Sequence, residues 1–196
     1  MSLQSSAQAG QDLWVWEVTG HKTDGTFLDI GCGNLTQCNN TYALERQGWR
    51  GLLVDLTGHE EGIPERNSPF LAADATKLDW VSVLIAVGLP MRITYGSFDI
   101  DGGTADLIEK FPFDTVSFDV ITVEHDLYHA GPEPKRRITD RLAKFGYVTI
   151  CDDVKICIPG YNIDGPFETW LVAPELAAAA ERFKCSGKYW NEIVGV

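Results

Sequence analysis

The segment TFLDIGCGNLTQCNNTYALERQGWRGLLVD, residues 26–55, constrains the fold more than any other part of the chain, because it reads as strand, glycine turn, helix and strand. Phe27, Leu28 and Ile30 form a short apolar strand, and Gly31 and Gly33 stand where a parallel strand hands over to a helix. Leu52, Leu53 and Val54 make the second strand, which closes on Asp55. An acid a little over twenty residues past such a turn is placed to accept hydrogen bonds from both hydroxyls of a ribose. The expected ligand therefore contains a nucleoside.

The turn narrows the choice of nucleoside. A dinucleotide fingerprint, G-x-G-x-x-G, needs a glycine where Thr36 stands, and no GK[ST] phosphate loop is present. What remains is D-x-G-x-G, with Asp29 before the turn. A carboxylate there repels phosphate and attracts a sulfonium or an ammonium group, and S-adenosylmethionine carries both. A GxG turn alone is ordinary loop chemistry; Asp29, Asp55 and the helical segment are separate requirements met in order.

With 196 residues, 44% of them hydrophobic, the chain suits one domain over residues 1–196, with residues 1–20 as a segment covering the cofactor side. No apolar run reaches the ~18 residues of a membrane span, and MSLQSSAQAGQD lacks the basic and apolar regions of a signal peptide, so a cytoplasmic protein is expected. Five scattered cysteines without a CxxC pair argue against disulfides and zinc. The formal charge of -12, from 16 basic and 28 acidic residues, repels phosphate backbones, so nucleic acid is not an expected partner.

Strands and helices continue to alternate, as in a doubly wound α/β sheet. Residues 69–73 read as a third strand delivering Asp74 and Ala75, where the acid either starts a helix or reaches an adenine amino group. Asp79 or Thr76 can cap a helix through Trp80, Leu84 and Val87 that stops at Gly88. A fourth strand, residues 93–98, runs into Asp99 and Asp101, and a fifth, residues 116–123, into Glu124, His125 and Asp126. Ligands settle at the carboxyl ends of such strands. Acids converging there repel one another unless a proton, a cation or a cationic substrate offsets them, which marks a functional site.

These residues resemble the FkbM family of S-adenosylmethionine-dependent methyltransferases. The resemblance runs through AQAGQD (residues 7–12), FLDIG (27–31), NTYALERQGWRGLLVD (40–55), SFDIDGG (97–103) and ITVEHD (121–126). It implies a Rossmann-like, seven-stranded methyltransferase sheet, mostly parallel, with an antiparallel C-terminal hairpin over residues 147–151 and 168–173. It further implies methyl transfer to oxygen on a sugar or small natural product. By position, Asp29, Gly31 and Gly33 would line the methionine end, Asp55 the ribose, Asp74 and Ala75 the adenine, with Gln8 and Gln11 closing over the cofactor. Where the family usually carries a second acid after the fourth strand this chain has Thr104, the main support for an alternative reading as a cofactor-binding but catalytically lapsed partner or sensor module.

An alcohol must lose its proton to attack a methyl group, through a base or a cation that lowers its pKa. His125 has the ordinary pKa best suited to a base. Asp99, Asp101 and Glu124 could orient it, act as bases, or gather magnesium or manganese through oxygen ligands. A nicotinamide oxidoreductase is disfavoured by the missing third glycine. Acceptor selectivity is expected from loops at residues 59–68, 127–135 and 152–167, with Tyr128, His129 and Tyr161 available to stack on a sugar ring. The oligomeric state stays open.

Overall fold

The computed structural model describes residues 3–57, 66–158 and 163–196. Its elements are α1 (Gln11–Val18), β1 (Thr26–Ile30), α2 (Tyr42–Glu45), β2 (Arg50–Asp55), β3 (Phe70–Ala72), α3 (Trp80–Val87), β4 (Arg92–Phe98), α4 (Thr104–Lys110) and β5 (Ser117–Glu124). They continue through α5 (Leu127–Ala130), α6 (Pro132–Lys144), β6 (Val148–Ile158), β7 (Ile163–Val172), α7 (Ala177–Ala180), β8 (Cys185–Ser186) and α8 (Trp190–Val194).

The sheet order is β3-β2-β1-β4-β5-β7-β6-β8. All pairings are parallel except those of β7, which runs antiparallel to both β5 and β6. The expected sheet is present with one strand more than seven, because the two-residue β8 joins the outer edge of β6. Alternation along the strands builds a core on each face. Phe27, Leu53, Tyr95 and Trp170 face α1 and α2, whereas Leu28, Leu52, Val54, Phe98 and Phe118 face α3, α4 and α6. The expected cap is formed where Asp79 accepts from the Ser82 amide, and Gly88 ends α3 at φ 73°.

Two of the expected loops are corrected. The hairpin strands extend to Ile158 and from Ile163, so most of the expected 152–167 loop is sheet; residues 159–162, including Tyr161, lie outside the described residues. Bulges between Thr149 and Lys155 let the long strand bend while Lys135 bridges Asp152 and Asp153. The expected 127–135 loop is helical, in α5 and the start of α6, where Pro132 opens the helix at a position that needs no donor. Of the 59–68 loop, only residues 66–68 are described.

Candidate active site

The carboxyl ends of β1, β2 and β4 surround a cavity of about 560 Å³, within the range of small-molecule sites. Gly31 and Gly33 form one wall, Asp55, Asp74 and Ala75 another, and Asp99, Ile100 and Asp101 a third. The chain can turn here only because Gly31 lacks a side chain. It sits at φ 79°, its amide donates to the Val54 carbonyl at 2.8 Å, and a Cβ would lie 1.5 Å from the Asp99 carbonyl oxygen. Gly33, at φ 54°, has no atom of the described residues within 4 Å of the place a Cβ would take.

Asp55 is at the wall. One carboxylate oxygen accepts from the Gly33 amide at 2.9 Å and the other from the Thr57 amide and hydroxyl. Asp74 lines the cavity and accepts from the Thr76 amide at 3.0 Å, starting a short 3₁₀ turn, the first of the two roles foreseen for it. Its carboxyl is held at about 2 by hydrogen bonds from Lys77 and Thr76.

Asp29, Gln8 and Gln11 are not brought to the cavity. Asp29 is buried beneath the turn and accepts from the Thr41 hydroxyl at 2.7 Å; burial pushes its carboxyl up. Gln8 is exposed, away from the cavity wall. Gln11 is buried and donates to Glu168 at 3.0 Å, tying α1 to β7 rather than reaching a ligand.

The strand-end acids do converge. Asp99, Asp101 and Glu124 each place an oxygen within 4.8 Å of the others. Burial raises both Asp99 and Glu124, and they hydrogen-bond to each other, so Glu124 holds a proton that it donates to the Asp99 carboxylate. Asp101 and Asp126 both take left-handed backbone, at φ 51° and 50°, two residues beyond the strand-end acids Asp99 and Glu124. Thr104 closes this turn: its hydroxyl accepts from the Ile100 amide and donates to the Asp101 carbonyl.

His125 is turned away from the cavity. It is buried, its Nδ1 accepts from the Leu127 amide at 3.2 Å, and burial followed by the charge of Lys135 pushes it down to about 4. It is neutral, with its proton on a buried Nε2 that has no hydrogen-bond partner among the described residues. Tyr128 is 41% exposed, and its ring base packs on Gly165. Burial and the charge of Asp126 push its phenol up to about 12, so it stays neutral.

Sequence reasoning missed two buried groups. Glu168 lies opposite Glu124 in the β5–β7 register, 1% exposed, and accepts from Gln11 at 3.0 Å and Trp170 Nε1 at 2.5 Å. Its two-residue spacing from the core tryptophan Trp170 was the available signal. Arg66 is also buried, and nothing in its sequence neighbourhood marks it.

No family model matches the chain, so membership of the FkbM family is not confirmed, and no curated protein matches it. Solved structures do resemble it. A proposed hemolysin from Lactococcus lactis superposes with TM-score 0.57 at 11% identity, covering 98% of each chain. A proposed RNA methyltransferase from Pyrococcus horikoshii gives 0.53 at 16%, covering 84% of this chain and 82% of that one. A precorrin-6y C5,15-methyltransferase from Geobacter metallireducens gives 0.51 at 12%, covering 83% and 87%. At these identities the likeness is one of fold, and the fold is the Rossmann-like sheet found in methyltransferases.

Proposed function

We propose that the chain is an S-adenosylmethionine-dependent methyltransferase that methylates a hydroxyl of a sugar or small natural product. The observation that carries this reading is the cavity itself: four carboxylates, Asp55, Asp74, Asp99 and Asp101, border it together with a glycine backbone, and among the described residues no lysine or arginine lines it. Such a wall suits a ligand with a nucleoside, a sulfonium and an ammonium, and repels a pyrophosphate. Gly31 and Gly33 would approach the ligand by backbone, Asp55 would take the ribose, and Asp74 with Ala75 the base. S-adenosylmethionine supplies an electrophilic methyl group on sulfur, which a hydroxyl oxygen can displace in line.

The chain's own part is to hold the acceptor and take its proton. Asp99 is the group suited to that task, since it lines the cavity as a carboxylate already sharing a proton with Glu124. Asp101 would orient the hydroxyl, and Tyr128 offers a ring for a sugar face. His125 leaves the scheme as a base. A divalent ion on Asp99, Asp101 and Glu124 would need Glu124 to give up its proton first. The acidic wall and the net charge of -12 favour a small neutral or cationic acceptor over RNA.

Isothermal titration with S-adenosylmethionine and S-adenosylhomocysteine tests the reading. Micromolar binding is expected, weakened about tenfold or more by Asp55→Ala through loss of charge-assisted hydrogen bonds. Absence of binding by the wild-type chain would remove it.

A further inference from the structure

Arg66 belongs to no motif, yet its side chain has 0% of its surface exposed. A guanidinium that deep is tolerated only when its charge and donors are matched. Nη1 donates to the Leu35 carbonyl at 2.7 Å and to Asn39 Oδ1 at 2.9 Å, and Nη2 donates to the Thr41 hydroxyl at 3.0 Å. Nε faces Glu45 Oε2 at 2.7 Å, and the plane lies near the rings of Phe27 and Tyr42. Three of these partners, Leu35, Asn39 and Thr41, lie in the segment joining β1 to α2, which carries Gly31 and Gly33 to the cavity wall.

Other ties also hold that segment. Among the described residues its main chain reaches other parts of the molecule through the Gly31 and Cys32 amides on the Val54 carbonyl, the Asn39 amide on the Ser6 carbonyl and the Asn39 carbonyl, which accepts from the Ser6 hydroxyl at 3.0 Å, while Cys32 and Leu35 are buried in the core. Side chains add to this: Asp55 holds the Gly33 amide, Asn39 Nδ2 donates to the Cys32 carbonyl, Asn40 Nδ2 donates to the Ser97 hydroxyl at 3.1 Å, and Asn39 Oδ1 gathers Arg66 with the Thr41 and Tyr42 amides. Thr41 in turn donates to Asp29, the buried acid below the turn.

We propose that Arg66 is the positioning residue of this cofactor loop, its planar fork selecting the one path that presents Gly33 to the cavity. The fork is satisfied only when Leu35, Asn39 and Thr41 converge on it, so the loop and the guanidinium order each other. Lysine, a single point donor, keeps the charge opposite Glu45 but cannot meet all three. The ligand readout below rests on the methyltransferase reading; the exchange readout does not.

The test compares wild type with Arg66→Lys. In ligand-free protein, the Gly33 and Asn39 amides should exchange with solvent about tenfold faster in the variant while amides within β1 and β4 keep their rates. A role in general stability would instead speed all of them together. Affinity for S-adenosylhomocysteine should fall about tenfold, the factor carried by one net hydrogen bond from a charged group. If Arg66→Lys does not fold, the double variant Arg66→Met/Glu45→Leu removes both charges at once and serves for the same two measurements. Unchanged loop exchange, or acceleration in parallel throughout the sheet, overturns the proposal. If wild type binds no S-adenosylhomocysteine, the cofactor reading falls and the exchange comparison still decides the role of Arg66.

Discussion

Replacing Glu168 by glutamine should change the slope of stability against pH. The side chain is 1% exposed, and burial pushes its carboxyl up to about 8 from an ordinary 4.5, against the opposing hydrogen bonds from Trp170 and Gln11. Between those two values the folded chain holds a proton that the unfolded chain has released. The contribution of this group is therefore fully present below pH 4.5 and is lost as pH rises through 8, at about 1.4 kcal/mol per pH unit. Glutamine cannot ionise, so the variant should gain on wild type by about 3 kcal/mol between pH 5.5 and 7.5. Urea denaturation of both proteins at intermediate pH values measures this difference, and the other raised buried acids, Asp12, Asp29, Asp99 and Glu124, are common to both proteins. Parallel stability curves would refute the reasoning, since they would mean that Glu168 titrates alike in both states.

Gly31→Ala forces a Cβ against the Asp99 carbonyl at a left-handed backbone angle and should destabilise the fold by more than about 3 kcal/mol, whereas Gly33→Ala meets only backbone strain of about 1–2 kcal/mol. Thermal unfolding of the two variants should separate them clearly, and a Gly31→Ala protein melting like wild type would refute the turn geometry. Magnesium or manganese, if it occupies the acid trio, should bind at millimolar concentration and release the Glu124 proton, visible as a binding heat that changes with the ionisation enthalpy of the buffer. Glu124→Gln should abolish that buffer dependence; no heat with either ion removes the cation.

Much of this was legible because alternation and turn chemistry are local. TFLDI and GLLVD carry their own burial pattern, and Asp79 and Gly88 announce the ends of α3. The meeting of Asp99, Asp101 and Glu124 was legible one step further out, since neighbouring parallel strands bring their ends together. What escaped depends on partners distant in sequence. Gln11 reads as a cofactor residue until Glu168, 157 residues away, takes its amide. His125 reads as a base until the chain buries it near the charge of Lys135 and its Nδ1 accepts from a backbone amide. Arg66 looks like a surface arginine in a polar stretch, and only the fold around residues 35–45 makes it internal.

The place of β7 between β5 and β6 sets an order of assembly. During synthesis β6 emerges before the strand that must separate it from β5, so no native pairing within the sheet awaits it until residues 163–172 follow. Until then the exposed edge of β5 is an adhesive surface for other nascent chains. Completion of the sheet and installation of Glu168 opposite Glu124 are thus the same late event, and a chain shortened before residue 163 would retain the glycine turn and Asp55 while presenting an open, aggregation-prone edge beside the acids of the site.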